Sequence, residues 1–66
     1  MNITLNGKPH ALGQDRSVAD LIRSLGFEGK RIAVERNGDI VPKSQHADTL
    51  LDGDDVVEIV VAVGGG

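Results

Sequence analysis

The alternation of apolar and polar positions is the first signal along the chain. Ile3 and Leu5 alternate with Asn2 and Thr4, Asn6-Gly7 follows, and a second extended run covers Lys8 to Leu12. Asn-Gly supplies both positive-φ positions of a type I′ turn, whose twist matches that of paired strands, so this pattern predicts a β-hairpin. Pro9 has no N–H to give to a ladder, which puts the second strand at a sheet edge. Beyond the polar connector 13–16 the period changes. Val18, Leu21, Ile22 and Leu25 fall at i, i+3, i+4 and i+7, one apolar stripe of a helix. Ser17 is a favourable N-cap, and Asp20 places negative charge in the first turn in a capping-box-like arrangement. Gly26 stops the helix, and Phe27 is expected to fold back over the same core. A helix of about nine residues is marginal alone in water, so it must be held by packing on a sheet.

The second half repeats the strand signals. Ile32 and Val34 share a face in the segment 32–36, Asn37-Gly38 marks a second hairpin, and a short strand at Asp39 to Val41 ends at Pro42. The stretch 43–48 is polar and suits an irregular connection with one helical turn. Asp52-Gly53-Asp54 reads as a turn, and the last strand runs from Val56 to Val61. There Val57, Ile59 and Val61 are expected to face the core, and Val56, Glu58 and Val60 to face away. The order strand, strand, helix, strand, strand, strand predicts an α+β fold: one mixed five-stranded sheet with a helix packed on one face.

Composition narrows the function. Sixty-six residues make one small domain, expected over 1–63 with a flexible glycine tail at 64–66. Lacking cysteine, the chain has no disulfide, thiolate metal site or persulfide of its own. A net charge of −3 argues against a nucleic-acid partner. The longest apolar run is far short of the roughly 20 residues that span a bilayer, and the first residues lack the pattern of a secretory signal, so neither a membrane nor export is expected. A cytoplasmic location follows as the expectation. His10 and His46 have no ligand spacing, and the aspartates at 52, 54 and 55 lack the later glutamate of a calcium loop, so no metal is expected. Lys30, Arg31 and Arg36 read as a solvated face.

Gly64, Gly65 and Gly66 are the most informative residues. They follow an apolar strand, and three residues reach roughly 10 Å beyond it. Without Cβ atoms, Gly64 and Gly65 can thread a channel too narrow for any side chain. The α-carboxylate of Gly66 is then a bare group on a stalk, easily delivered into another protein's active site. A carboxylate resists nucleophiles until it is activated, most simply as an acyl-adenylate made with ATP and Mg²⁺. The chain has no phosphate-cradling GxxxxGK[ST] loop and no recognisable catalytic set, so activation falls to a partner enzyme and no catalysis is expected within the chain. On the open face of the sheet, Val56 and Val60 are candidates for partner docking.

The strand order and the glycine end resemble the ubiquitin-like β-grasp fold. Within it, the segment 32–45, the Asp52-Gly53-Asp54 turn and the stretch 57–60 before the glycines closely resemble the ThiS family of sulfur carriers in thiamine biosynthesis. The related MoaD carriers share the tail but are usually longer and richer in aromatics, whereas Phe27 is the single aromatic here. The resemblance implies a mechanism. A ThiF-like adenylating enzyme activates Gly66, sulfur from a donor such as a cysteine desulfurase displaces AMP, and the resulting thiocarboxylate supplies sulfur to a ThiG-like thiazole synthase. It implies no bound cofactor, since ATP and Mg²⁺ are used by the adenylating partner. Two other readings remain: a carrier serving molybdopterin or another sulfur-containing product, and a non-covalent ubiquitin-like binding module.

Overall fold

Both Asn-Gly sites reverse the chain as their residues dictate. In the computed structural model, which describes residues 1–62, β1 (Asn2–Leu5) runs antiparallel to β2 (Lys8–Ala11), and β3 (Ile32–Arg36) antiparallel to β4 (Asp39–Val41). The turn residues have φ of 51° and 81° at Asn6 and Gly7, and 51° and 88° at Asn37 and Gly38. Those are the paired positive values of a type I′ turn. The expected tail at 64–66 and the proposed carboxylate of Gly66 lie outside the described residues.

The helix α1 (Val18–Ser24) starts where the sequence places it. Ser17 Oγ accepts the Asp20 N–H at 3.1 Å, and Asp20 Oδ2 accepts the N–H groups of Ser17 at 3.2 Å and Arg16 at 3.0 Å. These backbone donors hold the Asp20 carboxyl below the usual carboxylate range. Two further first-turn amides are satisfied from elsewhere in the chain: Val18 N–H donates to the Thr49 carbonyl and Ala19 N–H to the His46 carbonyl, both at 2.9 Å. The connection 46–51, which follows a 3₁₀ turn at Lys43–Gln45, therefore caps the helix as well as joining strands. Nothing in its sequence announces that role.

The last strand, β5 (Val56–Val61), takes the centre of a five-stranded sheet ordered β2-β1-β5-β3-β4. It runs parallel to β1 and antiparallel to β3. β2 lies at one edge, as Pro9 requires. Val57 and Ile59 meet Ile3, Val34, Val18, Leu21 and Ile22 in a core between sheet and helix, with Phe27 packed against its margin. Val61 is on the inner side but only half-buried. The arrangement is the β-grasp expected from the element order.

Arg36 corrects one expectation. It does not stand in solvent with Lys30 and Arg31, because the register of β3 turns it inward, opposite Val57. Its Nε donates to Asp55 Oδ2 at 2.9 Å, and an ion pair to Asp52 at 3.6 Å joins them. Asp55 is buried at the base of β5 and also accepts Asn37 Nδ2 at 3.0 Å and the Asp52 N–H at 2.9 Å. Burial pushes its pKa up, but the donors from Asp52, Asn37 and Arg36 outweigh that and bring it below 3.8. Stability from this carboxylate is thus complete above its unfolded value and is lost as pH falls below about 3.8 through the lower folded value. Thermal melts from pH 6 to pH 2 will show this acid loss in the wild type and a flatter profile in Asp55→Asn. That variant will also be less stable by about 2 kcal/mol at neutral pH, since a charged acceptor of several hydrogen bonds is lost.

Candidate functional site

The site is built around the strand that leads into the glycine tail. β5 has a neighbour on each side, and each Asn-Gly turn adds a side-chain clamp to it. Ile59 N–H donates to Asn6 Oδ1 at 2.8 Å while Asn6 Nδ2 donates to the Ile59 carbonyl at 3.2 Å. An amide side chain thereby continues the β1 ladder past the end of β1. At the strand's start, Val56 N–H donates to Asn37 Oδ1 at 2.8 Å, and Asn37 N–H to the Val56 carbonyl at 2.7 Å. The positive φ that the turns demand is what aims both amides at β5. The last described backbone bond runs from Ala62 N–H to the Arg31 carbonyl at 2.9 Å. Gly64, Gly65 and Gly66 lie beyond it, outside the described residues, but their root is a braced strand.

Two surfaces flank that root. The first is the outer face of the sheet, away from the helix. Val56 and Val60 are exposed there, as their alternation with Val57 and Ile59 required, and Val60 keeps 64% of its surface in water. The register adds residues the linear reading did not collect. Ala33 stands opposite Val60, Glu35 opposite both Glu58 and Ile40, and Ile40 is 68% exposed. Ile40 was hidden in a three-residue strand too short to show a face by alternation. The second surface is a groove of about 690 Å³ beside Ala62, which runs from the helix side to Ala33 and Val60 of the outer face. Its walls include apolar Ile22, Phe27 and Ile32 and the cations Lys30, Arg31 and Lys43. Of the three basic residues grouped by sequence, Lys30 and Arg31 share this groove and Arg36 does not.

His10 and His46 fall on different elements, and His46 Nε2 is 3.1 Å from the Val41 carbonyl. Among the described residues no group of three or more histidines and carboxylates is placed to hold a metal ion, and no helix is long and apolar enough to cross a membrane.

Comparison with known proteins agrees with this architecture. The sequence model of the ThiS family matches residues 3–66. The sulfur carrier protein ThiS of Bacillus subtilis is 40% identical over 65 residues, covering 97% of this chain and 98% of that one. A thiazole synthase of Paramagnetospirillum magneticum is 38% identical over all 66 residues, and one of Magnetococcus marinus likewise. The chain spans only 20% of the length of these two synthases. The crystal structure of a thiamine biosynthesis protein (ThiS) from Geobacter metallireducens superposes with a TM-score of 0.83 at 30% identity, covering both chains fully.

The clamps can be tested without disturbing the turns, because glycine accepts the same positive φ. Asn6→Gly and Asn37→Gly will each lower stability by about 1 kcal/mol, the net worth of the lost amide hydrogen bonds. Hydrogen exchange will quicken at the Ile59 amide in the first variant and at the Val56 amide in the second.

Proposed function

The chain belongs to the ThiS family, and from that premise we propose that it is a sulfur carrier of thiamine biosynthesis whose working group is the α-carboxylate of Gly66. The observation that carries this reading is the match, along nearly the whole of both chains, to a protein named as a sulfur carrier. The braced strand ahead of the tail supports it. A rigid β5 lets a partner grip the globule while the glycines enter its active site.

In this mechanism the chain is a co-substrate and its partners are the catalysts. A ThiF-like enzyme, using ATP and Mg²⁺, joins the Gly66 carboxylate to AMP and releases pyrophosphate. The adenylate replaces a poor leaving oxygen with a good one, so a sulfur nucleophile supplied by a cysteine desulfurase or another donor can displace AMP. Where the donor is a protein persulfide, the displacement forms an acyl disulfide between Gly66 and the donor, and a thiol reductant cleaves its S–S bond, leaving the thiocarboxylate on Gly66 and releasing the donor thiol. Sulfur is larger and more polarisable than oxygen, so the charged terminus is a competent nucleophile for a ThiG-like thiazole synthase. Gly64 and Gly65 give the terminus access to both active sites, and Val56 and Val60 belong to the surface that docks them. The reading places the chain in the cytoplasm, with no cofactor of its own.

The thiazole synthase is the partner with independent support. In two proteins of that name, a stretch similar to this whole chain lies within the same polypeptide as the rest of the enzyme. Covalent linkage of this kind raises the effective concentration of one part for the other, an advantage where the two must meet.

The test is intact mass. After incubation with ATP, Mg²⁺, an adenylating partner and a sulfur donor, the chain should gain the difference between one sulfur and one oxygen atom. The variant lacking Gly66 should gain nothing while melting at the same temperature as the wild type. An unchanged mass in the wild type, with each partner shown to be active on its own carrier, would rule the reading out.

A further inference from the structure

The register of β3 and β5 puts two negative charges side by side. Glu35 and Glu58 are directly opposite each other on the outer face, where side chains of such a pair stand about 5 Å apart. Like charges in this position destabilise a sheet. Among the described residues, no ion pair or side-chain hydrogen bond engages either carboxylate. Two other carboxylates have a cation beside them: Asp55 has Arg36 and Asp20 has Arg23. The acidic pair is also ringed by the exposed apolar residues of this face, with Ile40 beside Glu35 and with Val56 and Val60 on either side of Glu58 along β5.

We propose that Glu35 and Glu58 form a receptor for a single cationic side chain of the thiazole synthase, an arginine or lysine set in an apolar surround. This rests on the carrier reading and specifies the docking surface within it. A guanidinium seated between the two carboxylates neutralises both at once and removes their repulsion, so the charge arrangement that weakens the free sheet favours the complex. The ring of Ile40, Val56, Val60 and Ala33 excludes water from the pair and strengthens the attraction. The same geometry works against a second copy of the chain on this face, because two such faces would bring four carboxylates together.

The inference separates from the carrier reading by combining stability with affinity. The variant Glu35→Gln/Glu58→Gln is compared with Asp48→Asn/Asp54→Asn, which removes the same charge from exposed loop positions. Melting temperature and the Kd for the purified thiazole synthase of the same organism are measured at low and at moderate salt. The glutamine variant should melt about 3 °C higher than the wild type as the repulsion is relieved. Its binding should weaken at least about tenfold, with a flatter salt dependence, while the asparagine control binds within about twofold of the wild type. A wild type that binds and a glutamine variant that binds equally well would overturn this inference and leave the carrier reading standing. A wild type that gains sulfur by mass but does not bind the synthase would remove the synthase as occupant. Two other results would give the face to a different occupant and overturn the inference. One is loss of charging by the adenylating enzyme with synthase affinity unchanged. The other is a wild-type dimer in sedimentation that Val60→Asp dissociates.

Discussion

The hydrogen bonding of β5 is the constraint on which the rest of the structure depends. A chain of this size has a small core, and its last strand is placed where loss of any neighbour would expose that core. β1 and β3 pair with it from either side, and Asn6 and Asn37 extend the pairing with their side-chain amides at distances of 2.8 to 3.2 Å. Each asparagine has two duties that reinforce one another. It adopts the positive φ that closes its hairpin, and from that backbone geometry its amide reaches the central strand. The hairpins are therefore parts of the brace that holds β5, and the turn chemistry is coupled to the long-range fold.

The polar groups beneath the strand follow the same economy. Asp55 is buried at the foot of β5, yet its carboxylate is surrounded by the donors of Arg36, Asn37 and the Asp52 amide, so burial is compensated and the group stays ionised. The helix is treated similarly: Ser17 and Asp20 cap it from within, and the carbonyls of His46 and Thr49 cap it from the connection that leads back toward β5. No buried side-chain nitrogen or oxygen among the described residues lacks a partner. Full satisfaction of this kind lets a small domain without cysteine hold a defined shape. Rigidity at the strand is what the proposed carrier chemistry asks for, since the reach of three glycines is useful only from a fixed starting point.

The outer face follows a different rule. There the side chains of β5 and β3 alternate out of the core, leaving Val56, Val60 and Ile40 exposed and setting Glu35 opposite Glu58. On the helix side Val18, Leu21 and Ile22 are buried against Ile3, Val34, Val57 and Ile59. The outer face is the surface that the proposed docking would use.

Much of this was legible in the residues taken in order. The hairpins, the helix with its cap and stop, the edge position of β2 and the division of β5 into an inner and an outer face all follow from local rules: the φ demanded by Asn-Gly, the period of 3.6 in the Val18 stripe, the missing N–H of Pro9 and the period of two in the last strand. The family resemblance, which the comparisons bear out, was legible for the same reason, because its motifs lie in contiguous stretches, and the glycines at 64–66 carry the chemistry proposed from it. What only the tertiary structure decided is which distant residues meet. Arg36 looked like a solvated cation until the strand register turned it onto Asp55, nineteen positions away. Glu35 and Glu58 are unremarkable in the chain and become a pair only when β3 is laid against β5. Secondary structure is set by forces acting over a few residues, which a sequence displays directly. Strand register depends on the simultaneous fit of all the neighbours, and no single segment contains that information.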